Sequence, residues 1–243
     1  MLVRAGRIRA AVRRDLERGL APWLTAARLE LGADAEPMLS GRGAAYRMTL
    51  PTGQRAVVRF YRRGGALARL VRETYLGVRA RPLRELLVTV ETRRRGVPTV
   101  EVLAARVEGR FVHRGALVTG ELAAPTLLEA LREAPDERTR CALSTSAGRT
   151  VGALHAAGVS HPDLNLTNLL VRSGAGGAYV VLCDFDRARL GRKPLQLRAR
   201  RQNLRRLRRS QRKLDPNDEL LGVAEQRAFR AGYQVVLGLP CAC

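Results

Sequence analysis

The sequence predicts an α+β fold with two lobes, in which a small antiparallel β-sheet lobe precedes a mainly helical lobe. Short apolar and β-branched runs separated by glycine turns occupy much of the first half. Apolar residues at helical spacing dominate the second half. A chain of 243 residues is long enough for two small lobes with real cores. The character changes near residue 120, so we expect residues 1–119 to form the first lobe and residues 120–243 the second.

The N-terminal segment predicts an amphipathic basic helix. Apolar residues recur at every fourth position, at Ile8, Val12, Leu16, Leu20 and Leu24, and arginines lie between them. Such a helix either packs on the body of the protein with a solvated charged face or lies on anionic lipid.

Three strands joined by two turns are expected next. The segment Gly41-Arg42-Gly43 and the pair Thr52-Gly53 are turn signals between apolar runs, and the last run covers residues 56–61. A helix is then indicated by apolar residues spaced between 83 and 90, closed by basic residues and Gly96. The elements expected after it are strands at 97–107 and 110–118 and helices at 127–131 and 140–155.

Two polar motifs in the second half carry the chemistry. The chain reads His161-Pro162-Asp163-Leu164-Asn165-Leu166-Thr167-Asn168, continues through apolar strands and reaches Asp184-Phe185. This is the spacing of a kinase catalytic loop and its metal-binding aspartate. Asp163 would accept the proton of an attacking hydroxyl, whereas Asn168 and Asp184 would offer oxygen ligands to Mg²⁺ on ATP. Each motif alone is typical of a turn, but their conjunction in this order predicts a kinase-like fold.

Five short motifs extend the kinase-like pattern into both halves of the chain. They are Gly41-Arg42-Gly43, Tyr61-Arg62-Arg63-Gly64-Gly65, Arg84-Glu85-Leu86, Asp163-Leu164-Asn165 and Asp184-Phe185-Asp186-Arg187. With these motifs the sequence resembles the lipopolysaccharide kinase family over roughly residues 39 to 214. The resemblance implies ATP-dependent phosphorylation of a sugar hydroxyl on 3-deoxy-D-manno-octulosonic acid (Kdo) attached to lipid A. It also implies work at the cytoplasmic face of the inner membrane of a Gram-negative bacterium.

The same resemblance assigns nucleotide contacts in the first half. Gly41, Arg42 and Gly43 would cover the ATP phosphates, although a plain hairpin turn also explains these glycines. Arg59 stands where most kinases have a strand lysine that pairs with phosphates, and its guanidinium binds phosphate as a fork. Glu85 would be the matching helix carboxylate, with an exposed surface glutamate as the alternative.

Two departures from the general kinase pattern stand out. Pro162 replaces the arginine that receives an activation-loop phosphate in regulated kinases, which argues against that kind of regulation. Asp186 replaces the glycine of Asp-Phe-Gly, and is either an extra metal ligand or a residue with a structural role, such as a helix cap for the segment that follows.

Residues 187–214 contain no acidic residue and predict a helix with one buried leucine seam, formed by Leu197, Leu204, Leu207 and Leu214. Its cationic surface suits an anionic glycolipid.

The charge balance allows several partners. A formal net charge of +22 suggests an anionic neighbour, but nearly all the positive charge is arginine, which a nucleotide bias would also produce. Aromatic residues make up only 4% and do not interleave with the basic runs, so no nucleic acid partner is expected. The expected partners are a lipid A-linked sugar and, peripherally, an anionic membrane surface.

The apolar runs are far shorter than the ~20 residues that span a bilayer, so the chain is not expected to cross a membrane. The resemblance implies a cytoplasmic protein that is peripheral on the cytoplasmic face of the inner membrane. The alternative function is a kinase-like phosphotransferase that acts on another small molecule or on protein. A cationic antibiotic acceptor would be repelled by the arginine-rich stretch.

Overall fold

A computed structural model describes residues 1–38, 44–62, 80–109 and 114–238. The chain divides into two compact units. The first comprises Met1–Val90 and Glu101–Leu122, and the second comprises Glu91–Val100 and Ala123–Cys243. The predicted turn at Gly41-Arg42-Gly43 lies outside the described residues.

The first unit contains a seven-stranded antiparallel sheet, within the described part of the chain. Its strands are β1 (Leu2–Ala5), β2 (Ile8–Val12), β3 (Glu36–Met38), β4 (Ala45–Thr49), β5 (Arg55–Arg62), β6 (Val102–Glu108) and β7 (Arg114–Gly120). They lie in the order β1-β2-β6-β7-β5-β4-β3. Met48, Val58, Leu103 and Val118 belong to the core of this unit, together with Leu20 of a covering helix. The helices are α1 (Glu17–Thr25) and α2 (Arg81–Arg94), the last turn of which belongs to the second unit.

The helix predicted over residues 8–24 is wrong for its first half. Residues 8–12 form strand β2, in which Ile8, Ala10 and Val12 are buried and the residues between them are partly exposed. Residues four apart share one face of a strand as well as one side of a helix, so the spacing of four fits both structures. Only Glu17–Thr25 is α-helical. A membrane-lying helix beginning at residue 8 is therefore excluded.

Arg106 fastens α1 to the sheet. The buried guanidinium donates to the carbonyl oxygens of Leu24 at 3.2 Å, Ala26 at 2.6 Å and Ala27 at 3.3 Å. It also pairs with Glu108 at 3.0 Å. The last carbonyl groups of a helix lack hydrogen-bond donors within the helix and carry partial negative charge. The guanidinium of Arg106 supplies both the donors and a positive charge.

Of the three strands and two turns predicted over residues 39–61, the structure describes the last two strands and the turn at Thr52-Gly53, and these are confirmed. Strands β4 and β5 pair from Ala45 opposite Arg59 to Thr49 opposite Arg55. Gly53 has φ of 79° in the connecting turn, a conformation that glycine adopts without steric cost.

The second unit is mainly helical, and the helices predicted at 127–131 and 140–155 are confirmed. The helices are α3 (Leu127–Glu133), α4 (Glu137–Ala156), α5 (Leu197–Leu214) and α6 (Val223–Leu237). Glycine allows α4 and α6 to approach closely, since a Cβ on Gly148 would lie 2.1 Å from the carbonyl oxygen of Phe229. The strands are β8 (Val159–Ser160), β9 (Leu169–Gly174), β10 (Gly177–Leu182) and β11 (Arg189–Leu190).

Helix α5 is shorter than the predicted acid-free stretch and turns a different face inward. It begins at Leu197, whose side chain is 61% exposed, so the predicted seam is wrong at that residue. The buried residues of the helix are Asn203 and Leu207. Leu197 lies off the face that these two residues share, because the packed face is centred on a polar residue that a leucine pattern does not reveal.

Candidate active site

The loop between β8 and β9 is fixed by its own asparagines. Asn165 caps the short 3-10 turn at Leu166–Asn168, where its side-chain oxygen accepts from the N–H groups of Thr167 and Asn168, both at 2.9 Å. Its Nδ2 donates to the carbonyl oxygen of Asp163 at 3.1 Å, and Nδ2 of Asn168 donates to the same oxygen at 2.9 Å. The amide nitrogen of Asn168 is thereby occupied, which leaves its amide oxygen as the atom suited to a cation.

The β9–β10 hairpin brings Asn168 and Asp184 to one end. Leu169 pairs with Leu182 in the ladder, and the N–H of Cys183 donates to the carbonyl oxygen of Asn168 at 3.1 Å. Asp184 follows directly with φ of 60°, the left-handed region that costs a non-glycine residue energy. The backbone therefore leaves the ladder sharply at the carboxylate that the sequence assigns to the metal.

His161 links the loop to the segment around Asp184. Its Nε2 lies 3.3 Å from the carbonyl oxygen of Cys183, and its ring centroid lies 5.1 Å from that of Phe185. Burial is the main cause that lowers the pKa of His161. The imidazole is therefore neutral near pH 7 and serves as a packed connector between the two motifs.

Helix α5 holds the loop along one face. Asn203 hydrogen-bonds to the backbone of His161, Arg206 binds the carboxylate of Asp163, and Ser210 Oγ accepts from the N–H of Leu166 at 3.2 Å. Residues 203, 206 and 210 are three and four positions apart and thus share a helix face. The loop geometry depends on this helix as much as on the loop sequence.

Two guanidinium groups face the carboxylate of Asp163. Nη2 of Arg206 lies 2.8 Å from Oδ1, and Nε of Arg187 lies 3.9 Å from Oδ2. The Asp163 side chain is 31% exposed. A carboxylate accepts several hydrogen bonds at once, so it can bind Arg206 and still receive a hydroxyl.

In the first unit, Arg59 on β5 and Glu85 on α2 form an ion pair. Nη1 of Arg59 lies 3.6 Å from Oε1 of Glu85, whose side chain is only 2% exposed. The Tyr61 hydroxyl donates to Oε2 of Glu85 at 2.5 Å, and the guanidinium of Arg81 lies 5.1 Å from the centroid of the Tyr61 ring. The alternative that Glu85 is an exposed surface glutamate is therefore wrong.

The predicted site residues fall into two groups, one in each unit. Arg59 and Glu85 meet in the first, and Asp163, Asn168 and Asp184 share the loop and hairpin end of the second. The residues assigned to phosphate covering, Gly41, Arg42 and Gly43, lie outside the described residues.

The contacts that support these two groups were not predicted. Asn203 and Arg206 were missed, although a neutral Asn203 within an arginine-rich helix is a signal of a buried amide. Tyr61 belongs to a motif that carries the resemblance, but its hydrogen bond to Glu85 was not expected. Asp186 is 7% exposed. The helix-cap alternative for Asp186 is wrong because the next helix begins only at Leu197. Within the described ranges, no cluster of three or more His, Cys, Asp or Glu side chains could hold a metal ion.

Comparison with known proteins decides the family. The model of the lipopolysaccharide kinase (Kdo/WaaP) family matches residues 34–233. The chain belongs to this family. The predicted membership and enzyme class are confirmed, so the protein is a kinase of the lipopolysaccharide kinase family. The hairpin β1–β2 and helix α1 precede the matched residues.

Curated relatives of this family member carry a more specific name. A 3-deoxy-D-manno-octulosonic acid kinase of Xanthomonas oryzae pv. oryzae (strain PXO99A) is 36% identical over 209 residues, which cover 79% of each chain. The protein of the same name from Xylella fastidiosa (strain M12) is 34% identical over 208 residues, which cover 84% of this chain and 76% of that one.

Solved structures confirm the predicted kinase-like fold. WaaP in complex with acyl carrier protein superposes with a TM-score of 0.64 at 21% identity, covering 96% of this chain and 90% of that chain. The Rio2 kinase of Chaetomium thermophilum, in an ADP/Mg²⁺-phosphoaspartate complex, gives a TM-score of 0.51 at 14% identity, covering 86% and 71%. Among the described helices, none combines the length and apolar character needed to cross a membrane.

Proposed function

We propose that the protein transfers the γ-phosphoryl group of ATP to a hydroxyl of Kdo attached to lipid A. The observation that carries the proposal is the partly exposed carboxylate of Asp163, fixed on its loop by α5 and faced by two guanidinium groups. Such a site joins a proton acceptor to positive charge, which suits an acidic sugar. Relatives at 36% identity named Kdo kinases support the same acceptor.

In the proposed reaction, Asp163 acts as the general base. The acceptor hydroxyl oxygen attacks the γ-phosphorus, and its proton passes to the Asp163 carboxylate. A new oxygen–phosphorus bond forms while the bond from the γ-phosphorus to the β–γ bridging oxygen breaks, so ADP leaves. Because Nδ2 of Asn165 and of Asn168 both donate to the Asp163 carbonyl oxygen, the backbone that carries the base is held still.

Asn168 and Asp184 fit a magnesium ion. Mg²⁺ prefers oxygen ligands and is usually held by one or two carboxylates together with phosphate oxygens and water. The Asn168 amide oxygen and the Asp184 carboxylate supply such donors at the end of the β9–β10 hairpin. Mg²⁺ bound there would neutralise charge on the phosphates.

Arg59 is proposed to bind nucleotide phosphates. Its ion pair with Glu85, which Tyr61 also contacts, would orient the guanidinium and limit its freedom. The covering role of Gly41, Arg42 and Gly43 stays a prediction from the sequence.

We also propose a peripheral contact with the anionic cytoplasmic surface of the inner membrane, through the outer face of α5. Six exposed arginines occupy the side of this helix opposite Asn203 and Leu207. They are Arg198, Arg201, Arg205, Arg208, Arg209 and Arg212. Each basic residue near an anionic surface contributes on the order of 1 kcal/mol of attraction.

A phosphate-transfer assay tests the proposed function. Labelled ATP, Mg²⁺ and Kdo-lipid A are expected to give labelled lipid on thin-layer chromatography. Lipid A without Kdo, a protein acceptor and an aminoglycoside are expected to stay unlabelled. Transfer to the protein or the aminoglycoside, with none to Kdo-lipid A, would establish the alternative activity instead.

A further inference from the structure

Arg206 is poised beside the atom that receives the acceptor proton. Its Nη2 lies 2.8 Å from Oδ1 of Asp163, and its side chain is 48% exposed. Arg206 stands on the same face of α5 as Asn203 and Ser210, which fix the helix to the loop backbone. The position of the guanidinium relative to the carboxylate is therefore set by the fold.

Most of the hydrogen-bonding capacity of Arg206 is unused. Within the part of the chain that the structure describes, Asp163 is its one hydrogen-bonding or ionic partner. A guanidinium carries several N–H donors in a fixed planar fork. The half-exposed side chain therefore has donors left for a ligand beside the Asp163 carboxylate, where a bound acceptor would lie.

We propose that Arg206 binds the carboxylate of the sugar acid and so selects an acidic acceptor. The inference rests on the proposed function, because it takes Kdo as the acceptor. Because the Asp163 carboxylate would accept from both Arg206 and the acceptor hydroxyl, the bound sugar would lie beside the remaining Arg206 donors, which are suited to bind its carboxylate. Arg187, 3.9 Å from the other carboxylate oxygen, adds positive charge on that side.

A thermodynamic cycle that combines one enzyme variant with one modified acceptor tests this role. Arg206→Gln and wild type are each assayed with Kdo-lipid A and with its derivative whose sugar carboxylate is a carboxamide. Losing a charge-assisted hydrogen bond should lower kcat/KM of the variant for the acid by about 10- to 100-fold. For the carboxamide the loss should be at least about fivefold smaller, because the sugar carboxylate is already gone and only the contact of Arg206 with Asp163 is removed.

Further arms separate the competing explanations. Equal losses on both acceptors would overturn the inference, because Arg206 would then act on the phosphoryl group or on Asp163 alone. Wild type that used the carboxamide as well as the acid would also overturn it. Dephosphorylated Kdo-lipid A distinguishes the sugar carboxylate from a lipid phosphate as the anion that Arg206 binds. With this acceptor, Arg206→Gln should lower kcat/KM as much as it does with Kdo-lipid A. If Arg206→Gln had no effect on the dephosphorylated acceptor, the carboxylate assignment would be overturned.

Three control variants or measurements accompany the assay. Arg230→Gln removes an exposed arginine from α6 and should leave kcat/KM for both acceptors unchanged. Melting temperatures show whether Arg206→Gln folds, and Arg206→Lys, which keeps the charge, should recover part of the activity on the acid. If wild type phosphorylates neither acceptor, the proposed function itself fails, a pattern distinct from equal losses in the variant.

Discussion

Asn203 binds both backbone polar atoms of His161. Its Nδ2 donates to the His161 carbonyl oxygen at 2.8 Å, and its Oδ1 accepts from the His161 N–H at 3.4 Å. A buried amide side chain that meets both a donor and an acceptor has no unsatisfied polar group. This contact joins α5 to the start of the loop that carries Asp163, so the cationic helix is part of the site's scaffold.

Replacing Asp163 by asparagine should strongly lower turnover and spare nucleotide binding. Asparagine matches the shape of aspartate but cannot accept the hydroxyl proton. We expect kcat to fall by about 100- to 10,000-fold, while the dissociation constant of Mg-ATP from calorimetry stays within about threefold because the base acts on the acceptor. Asp15→Asn, at an exposed carboxylate on the first unit, is the control. Wild-type turnover in Asp163→Asn would refute its role.

Replacing Asp184 by asparagine should weaken magnesium-dependent nucleotide binding. A neutral amide is a poorer ligand for a hard divalent cation than a carboxylate. Calorimetry with ATP across Mg²⁺ concentrations should show lower affinity and a higher Mg²⁺ requirement. Asp218→Asn is a matched control, since Asp218 is another non-glycine residue with positive φ, at 53°. Identical Mg²⁺ dependence in Asp184→Asn and wild type would exclude Asp184 as a ligand.

Glu85→Gln should lower nucleotide affinity without unfolding the protein. Glutamine keeps an oxygen that can accept from Tyr61 but loses the charge that attracts Arg59. A guanidinium without its carboxylate partner is less well oriented toward phosphate. We expect a several-fold higher KM for ATP, with the KM for the acceptor unchanged. A rise in both KM values together would instead indicate a general distortion of the enzyme.

Stability should fall as the pH drops from 7 to 5. Burial lowers the pKa of His155 from 6.5 to about 4, so the folded state keeps this imidazole neutral while the unfolded chain takes up a proton below about 6.5. The unfolded state then binds more protons, and the free energy of unfolding falls by on the order of 2 kcal/mol over this range. His161, whose pKa is also lowered by burial, adds to the loss.

Two variants assign this pH dependence. His155→Gln should show a smaller difference in melting temperature between pH 7 and pH 5 than wild type. Tyr233→Phe removes the hydroxyl 2.8 Å from Nδ1 of His155 but keeps the packing around the ring. Because burial is the main cause of the shift, the phenylalanine variant should keep the full pH dependence. An unaltered slope in His155→Gln would contradict the assignment.

The sequence predicts local structure well where one pattern has one structural meaning. Glycine turns with β-branched runs predict β4 and β5, and the order of Asp163, Asn168 and Asp184 predicts a kinase-like loop and hairpin. The pattern from Ile8 to Leu24 fits strand and helix alike at a spacing of four, so only packing against β6 decides that residues 8–12 form a strand.

Local patterns do not predict contacts between distant segments. Glu85 is suggested as the partner of Arg59 only by the family resemblance, whereas its burial and its hydrogen bond from Tyr61 depend on how α2 packs against the sheet. Similarly, the sequence offers many arginines of α5 that could form an ion pair with Asp163. The tertiary fold selects Arg206 because Asn203 and Ser210 set the rotation of α5.

The outer face of α5 should give reversible, salt-sensitive membrane binding. We expect cosedimentation with anionic but not neutral liposomes at 0.1 M salt, and loss of binding at 1 M, since the Debye length shortens from about 10 Å to about 3 Å. A triple Gln variant of Arg205, Arg208 and Arg212 should bind about 100-fold more weakly, at about 1 kcal/mol per arginine. The matched control replaces three exposed arginines elsewhere in the second unit, which are Arg138, Arg172 and Arg230. Both variants lose the same net charge, so equal weakening would show that binding depends on overall charge and would refute a role for the α5 face.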